Sequence, residues 1–154
     1  MTQERKTQAL TVAVLLVAVG VAVVRKTGAR KPAEATPQDT IYAMLDAARA
    51  GDVRAYLEQY TGSMETALRQ TLAESNDATF AKYLKDANAA LKGAAVSEPE
   101  IGEREARLKV EYVYQDRNEA QTLYLEKVGG AWKIARAESG DRIKTLIPYG
   151  APVR

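Results

Sequence analysis

The chain has 154 residues, a formal charge of +2, no cysteine and no histidine. Those two absences exclude disulfides, a thiol nucleophile, a lipidated N-terminal cysteine, a serine–histidine triad and imidazole metal sites. Residues 1–31 hold six cations against one anion, a balance of +5 that leaves −3 for residues 32–154 and so no basic footprint for nucleic acid.

Residues 1–25 are expected to form an N-terminal transmembrane anchor. Thr7 to Val24 carries no charged side chain over 18 residues. As a helix it is about 27 Å long, close to the ~30 Å hydrocarbon core, so the lipid bilayer is its expected partner. A cleaved signal peptide is the second reading, because Ala33-Glu34-Ala35 has the small-x-small form of a cleavage site. That tripeptide lies nine residues beyond Val24 with four cations between, whereas cleavage normally follows the apolar run closely. A helix buried in protein is the third reading. Two Lys or Arg residues precede the span and four follow it, which places the domain in the cytoplasm by the positive-inside rule. An N-terminus headed by Arg5-Lys6 and retained inside sends it across instead. Residues 26–35 form a short polar linker with Pro32, reaching roughly 15–20 Å as a coil.

A folded domain is expected over 36–138. Thr36 suits an N-cap, Pro37 the first helical position and Asp39 the positive helix end. Ile41, Met44, Leu45 and Ala48 follow helical spacing, and Gly51 stops the helix as a left-handed cap. Asp52 caps a short second helix carrying Val53, Tyr56, Leu57 and Tyr60. A third begins at Gly62-Ser63 with Met64, Ala67, Leu68 and Leu72 on one face. After Asn76-Asp77, a fourth carries Phe80, Tyr83, Leu84, Ala87 and Leu91 and ends at Gly93. These stripes are read as core. Asp39, Asp46 and Asp52 are read as caps or solvated positions rather than bases.

From residue 94 the apolar period changes to two. A weak strand is expected over Val96 to Ile101, with Pro99 at an edge or bulge. Three stronger strands follow, and their turns set registers. Gly129-Gly130 makes a two-residue hairpin, with Val128 opposite Ala131, Lys127 opposite Trp132, Glu126 opposite Lys133 and Leu125 opposite Ile134. A four-residue loop at Asp116 to Glu119 puts Val110 opposite Leu125, Tyr112 opposite Leu123 and Lys109 opposite Glu126. One face then collects Leu108, Val110, Tyr112, Tyr114, Leu123, Leu125, Trp132 and Ile134. The other carries a charge row of Lys109, Glu126 and Lys133. Helices followed by an antiparallel sheet with one apolar face read as α+β.

On "TPQDTIYAMLDAARAGDVRAYLEQYT" and "GGAWKIA" the chain resembles the nuclear transport factor 2-like superfamily. The matching positions are Pro37, Ile41, Leu45, Ala48, Gly51-Asp52, Tyr56-Leu57, Gly130, Trp132, Lys133 and Ile134. It looks most like bacterial membrane-anchored or secreted members of unknown function. The resemblance implies a cystatin-like cone, with helices packed into a curved antiparallel sheet around a cavity, and dimerisation through the sheet. It also implies a single-pass protein of a bacterial inner membrane with an extracytoplasmic domain, or a secreted one after signal cleavage. Isomerases and cyclases of the superfamily use an acidic or histidine base inside the cone. Here histidine is absent and the inward face is expected to carry no Asp or Glu, so no catalytic residue is carried over and no cofactor or metal is expected.

Tyr112, Tyr114, Trp132 and Arg136, placed opposite Leu123, are the pocket candidates. In the first reading Trp132 and Tyr112 fill the core, with Arg136 and Lys127 at its rim. In the second they form an aromatic pocket whose guanidinium meets an anionic ligand. The expected role is a non-enzymatic accessory or interaction domain, with a small apolar or anionic ligand as the alternative, an isomerase- or cyclase-type enzyme as the second alternative, and a protein partner or homodimer through the sheet. Residues 139–154 form a tail with Ile143, Leu146, Ile147 and Tyr149 between charges and prolines, which packs back on the domain or binds a partner.

Overall fold

The structure is a computed structural model and describes residues 33–144. The Thr7–Val24 anchor, most of the linker and residues 145–154 lie outside the described residues. Among the described residues no helix is long and apolar enough to cross a membrane.

Four helices come first: α1 (Pro37–Ala50), α2 (Val53–Leu57), α3 (Gly62–Glu74) and α4 (Asp77–Ala89). Local chemistry sets their ends. Thr36 and Asp39 form a reciprocal capping box at the start of α1, and Gly51 closes it at φ 70°. Hydrogen bonding to Thr36 holds the Asp39 carboxyl below its usual range. The Asp52 carboxylate accepts from Ala55 N at 3.0 Å and starts α2. The Asn76 side chain accepts from Thr79 N at 2.9 Å and starts α4. Asn76→Ala is expected to cost about 0.5–2 kcal/mol in urea unfolding, the usual worth of an N-cap. A loss within error of zero would mean that water serves this end equally well.

Five strands follow: β1 (Gly93–Val96), β2 (Glu100–Ile101), β3 (Glu105–Val113), β4 (Arg117–Val128) and β5 (Ala131–Lys144). The sheet is antiparallel in the order β1-β3-β4-β5, and β2 lies on the same edge of β3 as β1. The single weak strand expected over Val96 to Ile101 is thus two pieces. Gly93 opens β1 instead of ending α4. The strand β5 runs six residues past the boundary expected at 138.

The Gly129-Gly130 register holds in all four expected pairs. The glycines take φ values of 58° and 82°, conformations that L side chains resist. The β3–β4 register differs. Tyr114 N donates to Arg117 O at 2.9 Å, so the turn is the two residues Gln115-Asp116. Leu123 therefore faces Leu108, Leu125 faces Ala106, and Lys109 faces Thr122. The charge row survives only as Glu126 opposite Lys133, while Glu105 faces Glu126. The slip is even, so the residues of β3 and β4 kept their faces, because side chains alternate with period two.

The main core joins Ile41 and Met44 of α1 with Tyr60 and the sheet residues Ala106, Leu108, Val110, Leu123, Leu125, Trp132 and Ile134. A smaller cluster of Ala48, Phe80 and Leu84 ties α1 to α4. The expected helical stripes are only partly core. Helix α3 has no buried residue, and Tyr83 and Ala87 of α4 are exposed.

Candidate functional site

The half-buried residues Met64 and Leu68 of α3 pack against the main core and also border an open space. A cavity of about 380 Å³ opens between the helices and the concave face, within the size range of small-molecule sites. Leu123, Ile134 and Ala137 form its floor; Met44, Met64 and Leu68 stand opposite. Its polar groups are phenols and amides, and no side chain lining it is charged.

The phenols are held by local packing. Tyr56 and Tyr60 are four residues apart, and their rings lie 5.1 Å apart. The Tyr60 hydroxyl donates to Tyr56 Oη at 2.9 Å, which leaves the Tyr56 proton to be donated elsewhere. The Tyr112 hydroxyl donates to Gln121 Oε1 at 3.3 Å. Burial pushes the Tyr60 and Tyr56 hydroxyls upward and Tyr112 up to about 12. At neutral pH all three are uncharged hydrogen-bonding groups set in an apolar wall.

Tyr112, Tyr114 and Gln121 also border an adjoining recess of about 290 Å³ that holds Glu119 and Arg142. Arg117 Nε donates to Glu119 Oε1 at 2.7 Å, and Arg142 Nε lies 2.9 Å from the same oxygen. Arg117 also stacks over the Tyr114 ring at 4.1 Å. The expectation of no inward carboxylate is therefore corrected. The shorter turn takes Glu119 out of the loop and places it in β4 opposite Tyr112. The Arg117 hydrogen bond is the main cause that holds the Glu119 carboxyl below its usual range. A carboxylate so paired is a weak base.

The same pairing sets a pH dependence. The folded value lies below the unfolded one, so this stabilisation is complete above the ordinary glutamate range. It is lost as pH falls through the folded value. Glu119→Gln is expected to flatten the acid limb of Tm against pH, below about pH 4. An acid limb identical to that of the parent protein would show that Glu119 contributes none of it.

Of the four pocket candidates, Tyr112 and Tyr114 border the cavity. Trp132 is core: only 9% exposed, it sits beneath Thr40, whose hydroxyl donates to the Trp132 carbonyl at 2.9 Å. Its ring is covered by Lys127, with Nζ 5.6 Å from the ring centroid. Arg136 is on the opposite face. A bulge at Ala135 shifts the pairing, so Arg136 faces Tyr124 rather than Leu123. Its guanidinium lies 3.7 Å from the centre of the Tyr124 ring and donates to Glu138 at 2.9 Å. The expected anion partner inside the pocket is thereby removed. Tyr60 is core, as its stripe implied, and Tyr56 packs against it; both also border the cavity, which the stripe did not reveal.

No family model matches the chain, and no curated protein matches it by sequence. Among solved structures it is similar to a protein from Campylobacter jejuni with a provisional NTF2-like transpeptidase name, at 15% identity and TM-score 0.46, over 66% of this chain and 99% of that one. It is also similar to an NTF-2 like protein of unknown function from Shewanella oneidensis, at 21% identity and TM-score 0.42, over 69% and 100%. A third is an NTF2-like protein of unknown function from Cytophaga hutchinsonii, at 9% identity and TM-score 0.39, over 71% and 94%. These structures carry the family name that the resemblance in the sequence implied.

Proposed function

We propose that this chain is a non-enzymatic module whose cone receives a small, largely apolar molecule bearing an uncharged oxygen acceptor. Thr7–Val24 tethers it to a bacterial inner membrane, with the domain on the extracytoplasmic side. The observation that carries the ligand reading is the uncharged cavity in which the Tyr56 hydroxyl retains a proton to donate. Apolar walls supply affinity through burial, and the hydroxyls fix orientation. Catalysis is not part of the proposal, because Glu119, the carboxylate in the adjoining recess, is engaged by two guanidinium groups.

The test uses the full chain in lipid nanodiscs with 2-naphthol and 2-naphthoate as probes. Saturable binding of the neutral naphthol, followed by tyrosine fluorescence and Tm, is expected, with weaker binding of the anion. If neither probe saturates nor shifts Tm, the ligand reading fails. Trp132 emission is a poor monitor, because the indole is packed in the core rather than in the cavity wall.

A further inference from the structure

The concave face continues past the cavity floor. Along β4 it passes from Leu123 in the floor, to Gln121 at the border, to Glu119 in the adjoining recess. Side chains alternate along a strand, so each of these steps advances about 7 Å. Tyr112 and Tyr114 border both spaces, and one surface thus runs from apolar to charged. A second bulge completes its charged end. Between the pairs Gln121–Ser139 and Glu119–Arg142, Ala120 alone stands against Gly140 and Asp141. The extra residue returns Arg142 to the concave side, opposite Glu119. Glycine suits the bulge, because a Cβ at 140 would lie 3.1 Å from the Ala120 carbonyl oxygen.

The recess offers donors and acceptors side by side. Arg142 meets Glu119 through Nε, and no other partner of that guanidinium is found among the described residues. Arg117 and Arg142 both approach Oε1 of Glu119, which leaves Oε2 able to accept from a further donor. Asp141 also borders the recess. A carboxylate head group would meet Arg142 but stand against Glu119 and Asp141. An ammonium head group would meet those carboxylates but stand against Arg142. A neutral amide suits both, its oxygen accepting from the guanidinium and its N–H donating to a carboxylate.

We infer that the recess is the head-group half of the ligand site, and that the molecule received is an apolar body ending in a neutral carboxamide. The body lies in the cavity, and the amide lies between Arg142 and Glu119. This inference rests on the cavity reading proposed above and adds the class of head group.

The test measures affinities by calorimetry on the full chain in nanodiscs. The probes are 2-naphthol and its propanamide, propanoate and propylamine derivatives, substituted at ring carbon 6 so that the hydroxyl is kept. The propanamide is expected to bind about tenfold tighter than 2-naphthol, the worth of a hydrogen bond to a charged group. The two charged derivatives gain less. In Arg142→Ala the ratio of propanamide to naphthol affinity, both measured on that variant, falls toward unity. Arg142 is exposed, so the substitution removes no core contact. Should that variant still fail to fold, Ser139→Phe, at an exposed position bordering the recess, obstructs the head group and reads the same ratio. Naphthol binding with no gain for the propanamide, a larger gain for either charged head, or a gain that survives the substitution overturns the inference and leaves the cavity reading standing. If neither 2-naphthol nor the propanamide binds the parent chain, both fall together.

Discussion

Leu125→Ala is expected to lower the unfolding free energy by about 2–5 kcal/mol, read from the urea midpoint at constant m-value. Leu125 is fully buried and lies between Ala106 on β3 and Ile134 on β5. Its neighbours belong to two paired strands, so they cannot close over the space left by the lost methyl groups without distorting the ladder. Transfer and cavity terms therefore add. Leu72→Ala on α3 is the control: that residue is only half-buried, and a loss below about 1.5 kcal/mol is expected. If both substitutions cost the same, the division into a tight sheet core and a loose third helix is wrong.

Leu68→Trp is expected to weaken 2-naphthol binding at least tenfold, about 1.4 kcal/mol, while leaving Tm nearly unchanged. Leu68 borders the cavity from α3, so the added indole volume has empty space to enter rather than a filled core to strain. Binding and stability then separate. A variant that unfolds would indicate that the space is not open to a side chain of that size. A variant that is stable and binds the probe as well as the parent protein would place the ligand elsewhere on the molecule. Ala87→Trp, on the exposed border of the same cavity, provides a second obstruction that does not touch the core.

The helix ends were legible because their causes are local. Thr36 with Asp39, Gly51, Asp52 and Asn76 act within one turn of the residues that they cap. The Gly129-Gly130 hairpin was legible for a similar reason, since two glycines that accept positive φ specify a two-residue turn. The Gln115-Asp116 turn lacks such a marker, and the expected register was displaced by two residues on each strand. The α+β class and the composition of the buried sheet face survived that error, because an even slip preserves alternation.

The candidate site depended on features that periodicity does not encode. The bulge at Ala135 inserts one residue and moves Arg136 from the concave face to a stack on Tyr124. Met64 and Leu68 pack against the core and border the cavity at once, an arrangement their own helical spacing does not contain. Tyr56 and Tyr60 were visible as apolar positions on one helical face; that their hydroxyls bond to each other in a cavity wall is set by the assembled chain. The sequence by itself determined the apolar face of the sheet, through local caps and the two-residue period. Tertiary structure decided which of those residues touch one another and which face the cavity, because bulges and the meeting of separate elements are properties of the assembled chain.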